Sequence, residues 1–182
     1  MVERVTIAPC MGIGKAVAGV TRLAALIVGE DLLPGKTNIL CIPALGAMVE
    51  EDIRFVEDYP TIVIDGCGER CASHLSLFYN IKPAAIVYVL DVVKETGLKP
   101  GKSRKILEDS GKLLAQKIAE KVAKIAEAIL NDPNYDYKKQ KMKDHGFEHE
   151  NDIGSVMKYR KVTGSFYVPE GMPKIKLNRS EE

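Results

Sequence analysis

Tryptophan is absent from this chain, and so is an excess of either charge: 26 basic residues stand against 25 acidic ones, interspersed rather than blocked, for a formal charge of +1. Without a basic field there is no electrostatic footprint for nucleic acid or for an anionic membrane surface. No apolar run approaches the roughly 20 residues that span a bilayer. The start, MVERVTIAPC, has neither the basic lead nor the apolar core of a secretory signal, so a cytoplasmic location is expected. Internal repeats and low-complexity tracts are missing too. Cysteine is scarce, with four residues. In a reducing compartment such thiols serve as metal ligands, redox groups or small buried hydrophobes more often than as structural disulfides.

What is present describes one α/β domain. At 182 residues and 46% hydrophobic content the chain can bury a sizeable core. Over the first 130 residues short β-branched runs alternate with segments of helical spacing, the pattern of βαβ units around a parallel sheet. Strands are predicted at 5–9, 38–42, 61–65 and 84–90, with helices at about 14–30, 47–58 and 70–80. A long amphipathic helix is predicted at about 103–130, with Ile106, Ser110, Leu114, Ile118, Val122, Ile125 and Ile129 in one stripe. The stretch NDPN at 131–134 stops it. The expected fold is an open, mainly parallel four-stranded sheet of flavodoxin-like or Rossmann-like winding, with flanking helices. Residues 1–130 form this domain and 131–182 an irregular C-terminal extension or arm. Within the extension, VTGSFYV at 162–168 reads as a short strand or an arm that packs on the domain or on a second subunit, so a homodimer through this extension is expected. The last 15 or so residues could equally be disordered.

The cysteines do not scatter on this scaffold. Cys10 directly follows the first predicted strand, Cys41 lies near the end of the second, Cys67 follows the third by two residues, and Cys71 opens the next helix. In a parallel sheet these ends share one edge, and open α/β sheets bind their ligands in the crevice outside the carboxyl ends of the strands. Gly12 and Gly14 after Cys10, and Gly66 and Gly68 around Cys67, fit sharp turns beside a bound group. Four thiols at one edge suit a tetrahedral zinc site with sulfurs about 2.3 Å from the ion. The plain alternative for each is a small buried hydrophobe, and it weighs most at Cys41, which sits inside an apolar run.

Other chemistries fit less well. Lys15 ends the stretch CMGIGK, but Ala16 stands where a phosphate loop needs Ser or Thr. A cysteine phosphatase of the C-x5-R type would need Arg where Ala16 and Ser73 stand, and a radical iron–sulfur motif would need cysteine in place of His74. His74 could still be a ligand or proton carrier, or a half-exposed helix residue. Asp65 could be a base or a partner to a ligand, or could simply accept backbone N–H bonds across its turn. His145 and His149, spaced i and i+4, could bind metal if helical but read as a solvated loop, and Lys15, Arg22 and Arg70 could offset thiolate charge but read as a solvated face.

The stretches PCMGIGKAVAGVTR (9–22), LCIPALG (40–46) with EEDI (50–53), and YPTIVIDGCGERCA (59–72) together resemble the DGC family of proposed zinc-binding proteins, named after its Asp-Gly-Cys motif. The likeness covers residues 5–92, and four cysteines, their glycine neighbours and an acidic helix recur in the family's order. It implies a zinc site made by Cys10, Cys41, Cys67 and Cys71, and implies no reaction. Three functions follow as expectations: a zinc-binding protein, a thiol redox or sulfur-carrier enzyme using Cys67 and Cys71, or a non-catalytic binding module with a small-molecule or protein partner.

Overall fold

A computed structural model describes residues 2–78 and 82–135, together with the backbone of two strands at 159–163 and 166–169. Four strands, β1 (Val5–Pro9), β2 (Thr37–Ile39), β3 (Thr61–Asp65) and β4 (Ala85–Tyr88), form one sheet in the order β2-β1-β3-β4. Every pairing is parallel, with Ile7 opposite Ile39 and Ile62, and Ile64 opposite Val87. This order follows the flavodoxin-like winding, in which the chain reverses its direction of travel across the sheet between β1 and β3.

Side-chain alternation divides the core between the two faces. Val5, Ile7, Ile62, Ile64 and Val87 point to one side, where they meet α1 (Val17–Leu26), α5 (Val89–Thr96) and the long α6 (Asp109–Asn131). Ala8, Cys10 and Val63 point to the other, toward α2 (Ile42–Gly46), α3 (Glu50–Asp58) and α4 (Cys71–Phe78). The central strands β1 and β3 are buried along their whole length, as expected for a parallel sheet covered on both faces. Along α6, Leu114, Ile118 and Val122 are fully buried and Ile129 nearly so, so most of the predicted stripe packs as read.

Several boundaries differ from the sequence reading, each for a local reason. The predicted first helix ends its α-helical part at Leu26 and continues as a π-helical turn, Ile27–Leu32. The predicted helix at 47–58 begins only at Glu50, as α3; β2 stops at Ile39, short of the predicted 42, and an unpredicted short helix, α2, follows it, separated from α3 at Met48, whose φ is +63°. The last predicted strand stops at Tyr88, and Val89 and Leu90 begin α5 instead. The long helix starts at Asp109, not near 103. Ahead of it the Ser103 hydroxyl oxygen accepts the N–H groups of Lys105 and Ile106, at 3.1 and 3.0 Å, a side-chain turn that competes with helix. Ile106 is consequently 66% exposed and leaves the stripe. At the far end the Asp132 carboxylate accepts the N–H of Asn134 at 2.8 Å, which turns the chain after Asn131.

Beyond residue 135, β5 (Tyr159–Thr163) pairs antiparallel with β6 (Phe166–Pro169). The segment expected to be a single strand or arm is thus split between two paired strands. No described helix is long and apolar enough to cross a membrane.

Candidate functional site

Cys10, Cys67 and Cys71 follow the two strands between which the winding reverses, and Cys41 follows the neighbouring strand β2. Cys10 follows β1, and its N–H donates to the Ile64 carbonyl on β3 at 2.8 Å. Cys67 follows β3 by two residues, Cys71 is the first residue of α4, and Cys41 lies past β2, immediately before α2. All four therefore sit at the C-terminal edge of the sheet. Their exposure is graded: Cys10 is buried, Cys67 half-buried, and Cys41 and Cys71 are exposed. The apolar run around Cys41 made a core position its alternative reading, but β2 ends at Ile39 and Cys41, at the N-cap of α2 with Pro43 in that helix's first turn, is exposed.

Three buried polar side chains fix the backbone beside these cysteines. The Thr21 hydroxyl, on α1, contacts the Cys10 carbonyl and lies 3.0 Å from that of Ala18. The Asp52 carboxylate, in the first turn of α3, accepts the Cys41 N–H at 2.9 Å. Asp65, at the end of β3, accepts the Ala72 N–H at 3.2 Å through one oxygen and the Ser73 hydroxyl through the other. Arg70 precedes α4 with φ +48° and its side chain cannot cap the helix, so Asp65 supplies the capping acceptor from the strand. Asp65 is 1% exposed, and burial pushes its carboxyl above the usual carboxylate range despite these bonds. Of the roles open to it from sequence, bracing the turn is the one its contacts support.

The glycines divide. Added Cβ atoms at Gly12, Gly14 and Gly68 would meet nothing within 4 Å, whereas at Gly66 one would lie 3.1 Å from the Val17 side chain. Gly66 is needed because α1 packs against the turn, while the left-handed residue of this loop is Arg70. The Arg70 guanidinium stacks 4.5 Å from the centre of the Tyr88 ring at the end of β4.

The electrostatics bind the cluster together. Lys15 donates to the Cys67 sulfur at 3.4 Å and lies 3.6 Å from Glu69. The hydrogen bond to the Cys67 sulfur is the main cause that raises the Lys15 ammonium. Partial burial pushes the Cys71 thiol up, and negative charge on Cys10, Cys67 and Asp65 pushes it further. His74 is half-buried on α4, and burial holds its imidazole below the usual value, favouring the neutral form. His145 and His149 lie outside the described residues. Among the described residues, no three His, Cys, Asp or Glu side chains are already arranged to hold an ion.

Thr21 and Asp52 were not singled out from sequence. Asp52 carried a partial signal, as one of three acids in the first turn of a helix, but such acids ordinarily face solvent and offset the helix dipole.

A family model described as DGC domain matches residues 6–122. The match takes in all four cysteines and runs past the sequence likeness through α5 into α6. Searches of curated proteins and of solved structures found no significant match. The chain belongs to the DGC family.

Proposed function

We propose that this protein binds zinc through Cys10, Cys41, Cys67 and Cys71. The observation that carries the reading is the placement of three turns, bearing the four cysteines between them, along one sheet edge, where α/β folds of this winding hold their ligands. The donor set suits the ion: soft thiolates favour zinc over hard cations. The mutual repulsion that raises Cys71 is one a bound cation would relieve. Four thiolates with one zinc ion leave a net negative site, and Lys15, on the Cys67 sulfur, would offset part of that charge. Coordination by four thiolates closes the shell, so the metal would be structural, with no open position to activate water. Purification without chelator, followed by elemental analysis for zinc and iron and titration of free thiols, tests this.

A second reading is favoured by one contact. Lys15 gives the Cys67 sulfur a cationic hydrogen-bond partner at 3.4 Å. That suits a thiol enzyme in which Cys67 and Cys71 are oxidised to a disulfide, giving two electrons and two protons to an oxidising substrate. Stoichiometric metal with protected thiols supports the first reading; a metal-free protein with a reversible Cys67–Cys71 bridge supports the second. For assembly, we propose that the C-terminal extension joins two copies of the chain in a homodimer.

A further inference from the structure

A cavity of about 230 Å³ opens between α1 and the loop that leads into α6. Its wall includes Leu23 and Leu107, both partly buried against the main core. Around it stand the exposed cations Arg22, Arg104 and Lys105, together with Ser103, and no acidic residue lines it. None of the three cations forms an ion pair with a described residue. The nearest acid in sequence, Glu108, does not line the cavity, and its carboxylate is engaged by the N–H groups of Lys102 and Ser103 at 3.0 and 3.5 Å.

The loop that carries two of these cations is held in shape. Ser103 closes a turn on Lys105 and Ile106, and the Ser110 hydroxyl oxygen accepts the Lys99 N–H at 2.9 Å. Gly111 lets the loop lie close on α6, since a Cβ there would come within 2.9 Å of Leu107 and of the Pro100 carbonyl. Three like charges gathered on a braced loop and a helix repel one another unless an anion is present, and bracing lowers the ordering cost of binding one.

We infer that this cavity binds a small organic phosphate. Two guanidinium groups offer the forked donors that match phosphate oxygens, and a third cation suits a dianion. Leu23 and Leu107 would receive a compact apolar group on the ester. The volume falls below the roughly 300–1,000 Å³ of drug-sized ligand pockets, which limits the ligand to a small one.

Titration calorimetry on the full chain tests this with phenyl phosphate, inorganic phosphate and benzoate at fixed ionic strength. Phenyl phosphate should bind saturably and more tightly than either of the others. The exposed double variant Arg22→Ala/Arg104→Ala, checked for native circular dichroism, should lose at least about tenfold in affinity, the effect of removing charge-assisted hydrogen bonds. Binding should be unchanged in Lys117→Ala, an exposed lysine of α6 that lies outside both the cavity and the cysteine edge. The inference is overturned if phenyl phosphate does not saturate, if the double variant binds as the parent does, or if benzoate binds equally tightly.

Discussion

The Asp52 carboxylate accepts the backbone N–H of Cys41 at 2.9 Å, across eleven residues and from a different helix. Asp52 is 8% exposed, so this acid is committed to the turn that precedes α2 and not to solvent. Asp65 does the same for the turn that delivers Cys71, and Thr21 for the turn that begins at Cys10. The edge is therefore a set of cysteine turns, each tied by a buried polar side chain from an element other than its own turn. Side-chain rotation, more than backbone movement, is what ion binding would demand of it.

Asp52→Ala should destabilise the fold by about 1–3 kcal/mol in urea unfolding, the cost of leaving a partly buried donor unpaired. Asp52→Asn keeps an acceptor oxygen and should recover most of that loss. If Cys41 is a ligand, zinc affinity measured by chelator competition should fall in Asp52→Ala and return in Asp52→Asn.

Asp65 gives the metal-free protein a pH signature. Its folded carboxyl is raised by burial, so between the ordinary carboxylate range and that higher value the folded state holds a proton that the unfolded state has lost. Its contribution to stability is then fully present at low pH and declines as pH rises through this window. Urea midpoints of the chelated protein and of Asp65→Asn, followed upward from pH 4, should converge or cross as the parent loses this contribution. Parallel curves would show that Asp65 ionises normally.

Gly66→Ala should cost about 1–3 kcal/mol through overpacking, because its Cβ would press to 3.1 Å on Val17. The damage should be smaller in a Val17→Ala background, where the contact is removed. Equal costs in both backgrounds, measured by denaturant unfolding, would locate the strain elsewhere.

These ties explain what could and could not be read in advance. β1 and β3 were legible residue for residue because each is a β-branched run buried on both faces. The cysteine edge followed from those strands and from parallel winding alone. By contrast, the run AAIVYVL at 84–90 holds the end of a strand and the start of a helix, and an unbroken apolar run has no period to separate them. For Cys41, expected as a ligand, apolar neighbours kept a core position open as the alternative. It is exposed at the N-cap of α2, and its N–H bonds Asp52 from α3, a tertiary contact that no local pattern announces. Nor does any local rule distinguish Asp52 from Glu50 and Glu51, its neighbours in the same turn.

A chain ending after Tyr135 retains the whole sheet, α6 and Tyr135, which packs against the main core. It should keep its zinc, since every proposed ligand lies within the first 71 residues, and light scattering should find it monomeric if the extension joins two copies. A truncated chain that is still dimeric would remove the extension from the interface. Loss of metal on truncation would bring His145 or His149 into the site.

The most direct measurement is zinc content with thiol accessibility on the full chain purified without chelator, repeated for Cys10→Ser, Cys41→Ser, Cys67→Ser and Cys71→Ser. The account expects one zinc per chain with all four thiols protected until chelator is added. Cys67→Ser and Cys71→Ser should each lose the metal, because these two thiolates share one turn and bind as a chelate. A parent protein free of metal, with reactive thiols and a reversible bridge between Cys67 and Cys71, would contradict it.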